Sequence, residues 1–205
     1  MPSIILASAS PSRKRLLKAA GISARVIISN VDEDAEIYTT MAPKEMVIAL
    51  AIVKAHTIRE LVTEPALIIA CDSNFEFEGE SLGKPLTAQA ARERTKRLSG
   101  KSGYLHTGHC IIDTAQGMEI SDIATTKVTF SELTDEEIED YVASGEPLGV
   151  AGGFTLDGLS SAFIPSIEGD YTNVIGLSIP LLRRMTTQLG YSWPALKHQL
   201  TGAQK

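Results

Sequence analysis

Short apolar runs alternate along this chain with amphipathic stretches, the pattern of strands laid against helices. Residues 3–7 read as a buried strand that runs into the turn Ser8-Ala9-Ser10-Pro11. A helix to Ala20 should follow, because Ser10 is a good N-cap, Pro11 suits the first helical position and Gly21 can close the end. A second strand is expected over residues 25–29, then an acidic loop over 31–34. Pro43 opens a strongly apolar helix through His56. Residues 66–70 read as a buried strand ending at Cys71-Asp72, and residues 75–77 and 80–82 as a hairpin around Glu78-Gly79.

In the second half, Ala88, Ala91, Thr95 and Leu98 recur at helical spacing and Gly100 ends that helix. Residues 105–112 and 124–130 alternate like paired strands, and Thr134-Asp135-Glu136-Glu137 is a capping box for a helix stopping near Gly145. Glycine-rich strands are expected over residues 150–167, a last helix over 180–189, and a polar, frayed tail after Pro194. No repeat and no Pro-, Gly- or Ser-rich linker divides the chain. The pattern predicts one α/β domain over residues 1–205, a mixed sheet with flanking helices arranged as two lobes around a cleft.

Composition narrows the functional classes. Lys and Arg number 19 against 25 Asp and Glu, a net charge of −6, so no global positive field exists to hold nucleic acid or an anionic membrane. An anionic partner must therefore use a local basic pocket. The longest apolar run, Met46 to Val53, falls well short of the roughly 18 residues of a membrane span, and no basic segment precedes the apolar start as in a secretory signal. Cys71 and Cys110 are not in C-x-x-C spacing and read as reduced core thiols of a cytoplasmic protein.

Several positions carry candidate chemistry. Ser8, Ser10, Ser12, Arg13 and Lys14 cluster where a strand runs into a helix N-terminus, which is the arrangement of an anion site, although a capped surface helix with solvated cations has the same sequence. Lys54 shares a helical row with Met46 and Leu50, so it needs either a partner in a cleft or room to snorkel. Asp72 would end a buried strand at the edge where open α/β sheets place ligands, Glu33 offers a second carboxylate, and Lys84 sits between Gly83 and Pro85. Together with Arg13 these residues would suit a divalent cation and a polyphosphate, since hard cations take oxygen ligands and phosphates need neutralising. Ser99-Gly100-Lys101-Ser102 imitates the end of a P-loop, but Thr95 stands where the first glycine should be. His106 and His109 would face opposite sides of a strand and read as structural or surface residues.

The same residues carry a resemblance. Leu6-Ala7-Ser8-Ala9-Ser10-Pro11-Ser12-Arg13, Val31-Asp32-Glu33, Leu50 to Ala55, Cys71-Asp72, Gly79 to Pro85, Leu98-Ser99-Gly100, Tyr141 to Leu148, Ile167 to Tyr171 and Val174 to Leu177 resemble, in that order, the Maf family. The resemblance implies an elongated, two-lobed α/β protein with the Maf and inosine-triphosphatase-like fold, cytoplasmic and often a homodimer. It implies cleavage of nucleoside triphosphates, among them non-canonical or modified ones, between the α and β phosphates, with Mg2+ or Mn2+ as cofactor. By position it implies Asp72 as acid/base, Glu33 and Asp72 as metal-associated carboxylates, Lys84 on the reacting phosphates, and Ser8, Ser10, Arg13 and Lys54 as phosphate-binding residues.

This chain departs from the family at positions tied to substrate choice. Ser12 stands where many members have an arginine, Ser73-Asn74 replaces a Thr-Val pair, and Val150 and Asp157 stand where pyrimidine-specific members have Lys and Gln. Asp157 can only accept hydrogen bonds, which would suit a guanine-type edge, although Asp-Gly is also a common hairpin turn. The alternatives to the hydrolase are a nucleotide-binding regulator of cell division with weak catalysis and a phosphohydrolase that attacks the γ phosphate.

Overall fold

A computed structural model describes residues 2–197. In chain order its elements are β1 (Ser3–Leu6), α1 (Pro11–Ala19), β2 (Arg25–Val26), α2 (Glu36–Thr39), α3 (Pro43–Arg59), β3 (Ala66–Phe77), β4 (Glu80–Leu82), α4 (Ala88–Leu98), β5 (Ser102–Asp113), β6 (Met118–Thr129) and α5 (Asp135–Ala143). Three short 3-10 turns follow, Glu146–Gly149, Ala151–Gly153 and Leu159–Phe163, and then β7 (Ser166–Glu168), α6 (Tyr171–Ile175), α7 (Ile179–Gln188) and α8 (Trp193–Lys197). No helix among the described residues is long and apolar enough to cross a membrane.

The strands form one mixed sheet in the order β2-β1-β3-β5-β6-β7, with β4 hairpinned onto β3. β1 runs parallel to both its neighbours, and the pairings from β3 through β7 are antiparallel. Because side chains alternate along a strand, β3 feeds two different layers. Ile68 and Ala70 pack with Ala51, Ala55 and Ile58 of α3 on one face. Leu67, Ile69 and Cys71 pack with Leu17 of α1 and with Leu182 and Met185 of α7 on the other. Further along the second face, Phe154 meets Phe75 and Phe130 edge-on, with ring centroids 4.9 and 5.0 Å apart.

One glycine sets how closely α3 approaches the sheet. A Cβ on Gly108 would lie 2.2 Å from the Val47 carbonyl oxygen, so no larger residue fits under the helix at that point. This close approach lets Lys54, two turns further along α3, reach Asp72, which pairs with Gly108 across β3 and β5.

The structure corrects several boundaries. β3 does not stop at Ala70; it continues to Phe77 as one strand, and Asp72 lies within it. Its parallel neighbour β1 is the strand that ends, with Leu6 opposite Ile69, so the ligand edge belongs to β1. β2 is only two residues long. Of the strands expected over residues 150–167 only the start of β7 forms; 3-10 turns stand at Ala151–Gly153 and Leu159–Phe163, the first because Gly152 and Gly153 take positive φ of 75° and 78°, which breaks an extended backbone. Pro194 is followed by helix, not fraying: α8 places Leu196 in the core at 1% exposure. The remainder of the predicted tail, residues 198–205, lies outside the described residues.

Candidate active site

The β1–α1 turn forms as its sequence dictates. Ser10 caps α1 by accepting from the Arg13 N–H at 3.4 Å, and Pro11 occupies the first turn. Ser8 Oγ accepts from the Ser10 N–H and from Arg13 Nη1, both at 3.1 Å. The Arg13 guanidinium is locked further: Nε donates to the Gly176 carbonyl at 2.7 Å and Nη2 to Ser73 Oγ at 3.0 Å, while Ser73 Oγ also meets Thr107 Oγ1 at 3.0 Å. Arg13 is therefore held as a fixed cation and not left on a solvated surface helix.

Lys54 does not snorkel. Its side chain is 6% exposed, and Nζ stands 2.5 Å from Asp72 Oδ1 and 2.6 Å from Glu33 Oε1. A buried ammonium needs such partners, since an unpaired one would be strongly disfavoured. Burial pushes the Glu33 carboxyl pKa up. The hydrogen bond and charge of Lys54, with the charges of Lys84 and Arg13, outweigh that effect and hold it below the ordinary carboxylate value.

One cleft of about 490 Å3 gathers Ser8, Ser10, Ser12 and Arg13 from the β1–α1 turn, Glu33 from its loop, Lys54 from α3, Asp72 and Ser73 from β3, Lys84 beyond β4, and Asp157, whereas the exposed Lys14 and the buried Asn74 do not line it. The segment from Gly149 to Asp157 forms another wall, contributing Phe154, Thr155 and Leu156. Asp157 is not in a hairpin turn. Its Oδ2 accepts from Arg15 Nη2 at 2.7 Å, and the same guanidinium nitrogen donates to Ser12 Oγ at 2.9 Å. Arg15 and the Gly176 carbonyl were not among the sequence candidates. Nothing in the sequence sets Arg15 apart from the other cations of α1, and a backbone carbonyl 163 residues from Arg13 leaves no local signal.

The rejected signals have ordinary roles. Gly100 takes φ of 71° and donates its N–H to the Ser131 carbonyl, so the P-loop imitation is a helix-to-strand turn. His106 and His109 are both buried and not at the surface. His106 bridges Thr125 Oγ1 at 2.9 Å and Glu76 Oε2 at 3.0 Å. His109 Nδ1 bonds to the Thr107 carbonyl at 3.0 Å, which makes it the protonated nitrogen, and Nε2 accepts the Ser178 N–H at 2.9 Å. Burial holds the His109 pKa down at about 4. Burial pushes the Cys71 thiol up to about 12 and raises Cys110 as well, so neither is a nucleophile at neutral pH.

A hydroxyl-rich helix N-terminus, a fixed arginine and two carboxylates on one buried lysine have the donors and charges that suit a phosphorylated ligand. The model of the Maf-like protein family matches residues 3–189, and the chain belongs to that family. It is 50% identical over 188 residues to a nucleoside triphosphate pyrophosphatase of Streptomyces coelicolor, covering 91% of this chain and 90% of that one. A nucleoside triphosphate pyrophosphatase of a Synechococcus species is 48% identical over 192 residues, covering 94% and 96%. Among solved structures, a nucleoside-triphosphatase (dITP/XTP pyrophosphatase) of Mycobacterium abscessus shows a partial likeness, with a TM-score of 0.39 and 14% identity over 64% of this chain and 75% of that one.

Proposed function

We propose that this chain is an enzyme that hydrolyses nucleoside triphosphates between the α and β phosphates, releasing a nucleoside monophosphate and pyrophosphate. The observation that carries this reading is the placement of Lys54 between Asp72 and Glu33 in the same cleft as the Ser8–Arg13 turn. The family match over residues 3–189 spans the whole of this arrangement, and relatives bearing that activity by name are 48–50% identical over more than nine-tenths of the chain. The free, buried thiols of Cys71 and Cys110 accord with the reducing environment of the cytoplasm.

The donor set fits a divalent cation such as Mg2+ or Mn2+. Glu33 and Asp72 come from different elements, meet at one positive centre, and each has a second carboxylate oxygen beyond the one held by Lys54. When bound, such an ion would neutralise phosphate charge and polarise the scissile linkage. The chain's own residues do the rest. The positive end of the α1 dipole, with Ser8, Ser10 and Arg13, holds phosphate oxygens. Lys84 neutralises charge that develops on the phosphates as the bond breaks, and Asp72 accepts a proton from the attacking water. Lys54 positions both carboxylates.

The wall carrying Asp157 receives the base. A guanine edge offers adjacent N–H donors to an acceptor-only carboxylate, so guanine-type or modified purine triphosphates should be preferred over dTTP and UTP. The test is a panel of nucleotides with Mg2+, Mn2+ or chelator, reading pyrophosphate against orthophosphate. Metal-dependent pyrophosphate release is expected. Undiminished hydrolysis in chelator, or orthophosphate as the sole product, overturns the reading.

A further inference from the structure

One carboxylate outside the cleft is more fully hydrogen-bonded than any inside it. Glu146 follows the left-handed Gly145 at the end of α5, and its Oε1 accepts from Thr155 Oγ1 at 2.7 Å and from the Ser160 N–H at 3.2 Å. Its Oε2 accepts from the Leu159 N–H at 2.8 Å. The buried Tyr141 hydroxyl stands 3.3 Å from Oε1 and 3.2 Å from the Gly153 carbonyl, so its one hydrogen can serve either acceptor. These donors are neutral, and all but Tyr141 belong to the segment 155–160. Ser160 Oγ closes that segment on itself, accepting from the Thr155 N–H and donating to the Thr155 carbonyl, both at 2.7 Å.

Gly158 shows how tightly the segment is drawn onto Glu146. A Cβ there would lie 2.3 Å from Thr155 Oγ1 and 2.5 Å from Glu146 Oε2. The glycine of the Asp157-Gly158 pair is thus required by the carboxylate beneath it. The residues so held include Thr155, Leu156 and Asp157, which face the cleft, and Asp157 is joined through Arg15 to Ser12 at the start of α1. With Phe154 they combine apolar surface and a few polar groups, the composition that suits a flat heterocycle with a hydrogen-bonding edge.

We propose that Glu146 is the positioning residue of the base-binding wall, fixing residues 155–160 so that the nucleobase is held in one orientation while the phosphates bind elsewhere. This rests on the nucleotide-hydrolase reading above. It adds that base recognition and phosphate chemistry are separable, because Glu146 touches no residue of the cationic end. Burial by itself raises the Glu146 carboxyl pKa, but the Leu159 N–H, the Thr155 hydroxyl, the Ser160 N–H and the Tyr141 hydroxyl outweigh it and hold the value below the ordinary range. A Gln there keeps the shape but turns one acceptor into a donor facing donors.

The experiment compares wild type, Glu146→Gln and Tyr141→Phe in three measurements: steady-state hydrolysis of GTP and UTP, competitive inhibition by inorganic triphosphate, and calorimetric binding of GMP and UMP. Hydrogen bonds to a charged group are the stronger kind, so for Glu146→Gln the KM for GTP and the Kd for GMP should rise roughly tenfold or more. Discrimination between GTP and UTP should shrink, while kcat at saturation and the inhibition constant of inorganic triphosphate stay as in wild type. Tyr141→Phe, which leaves the Thr155, Leu159 and Ser160 bonds in place, should show the same split at a few-fold, and it decides the matter if Glu146→Gln does not fold. A fall in kcat with KM unchanged, or a lower melting temperature with KM, Kd and discrimination all unchanged, overturns the proposal. If wild type cleaves no triphosphate but binds GMP and loses that affinity in Glu146→Gln, the hydrolase reading falls and the positioning role stands. If wild type neither cleaves nor binds nucleotides, both fall.

Discussion

The Lys54 centre and the Glu146 clamp both organise the cleft around carboxylates, but with opposite chemistry. At the first, two acidic side chains share one buried ammonium, with Glu33 nearly half exposed at its rim. At the second, one acidic side chain is held by hydroxyls and backbone N–H groups without a cation. A charged partner can be exchanged for a charged ligand, because a phosphate or a metal ion competes for the same Coulomb interaction. Neutral, directional donors cannot be exchanged in that way, so they hold a shape. On the proposed function, the contrast gives reaction to the Lys54 centre and selection to the segment that Glu146 holds.

The hardest blow to the contrast comes at Asp72. Asp72→Asn keeps the volume and can still accept from Lys54, but it removes the charge that would take a proton or ligate a cation. Turnover should fall by roughly 10²-fold or more, the range for loss of a general base, with the melting temperature little changed. Rates of pyrophosphate release beside a thermal melt check this. An active Asp72→Asn enzyme would move the reaction away from the Lys54 centre.

A second effect falls on the fold and not on the chemistry. His109 lies on β5, does not line the cleft, and holds the Ser178 N–H where α7 begins. His109→Ala leaves that buried N–H without its acceptor, at about 1–3 kcal/mol, and kcat should be retained. The substitution is therefore not the neutral one that a structural or surface histidine suggested. It also carries a pH signature. The folded-state pKa of about 4 lies below the ordinary 6.5, so the unfolded chain binds the proton more readily. The contribution is fully present above pH 6.5 and is lost as pH falls toward 4. Denaturation of wild type and His109→Ala across that window should show a shallower pH slope for the variant; equal slopes would mean that His109 does not titrate this way.

The same physics decides what could be read before the structure. The turn from Ser8 to Arg13 was legible because its signals are local: a cap, a proline in the first turn and a glycine with φ of 79° just past the helix. The capping box at Thr134 was legible for the same reason, and both reciprocal bonds to Glu137 form. Lys54 announced itself only as an oddity on an apolar helix; its partners depend on how closely α3 lies on β5, which Gly108 decides. Residues 150–167 misled because apolar residues spaced by glycines fit strands and 3-10 turns alike until the glycine φ angles are fixed. Glu146 stood in a recognised block, Tyr141 to Leu148, yet its donors in the segment it holds lie 9 to 14 residues further on, where no periodicity reports them.

The smallest expected effect sharpens the contrast at the rim of the base wall. Arg15 and Asp157 form an ion pair at 2.7 Å, but the Arg15 side chain is 66% exposed, unlike that of Lys54. Solvent screens such a pair, and exposed pairs contribute about 0.2–1 kcal/mol. If Asp157 reads a guanine-type edge, Arg15 competes with the base for the same carboxylate. Arg15→Ala should then raise the preference for GTP over UTP by about 1.4- to 5-fold, the range those energies set, with kcat unchanged. Asp157→Asn should lower the preference instead, because the carboxamide presents a donor as well as an acceptor. The measurement is the ratio of kcat/KM for GTP and UTP at low and high salt. The Arg15→Ala effect should shrink as salt screens the pair in wild type. A preference that falls in Arg15→Ala would make the arginine itself the group that holds the base, and Asp157 merely its anchor.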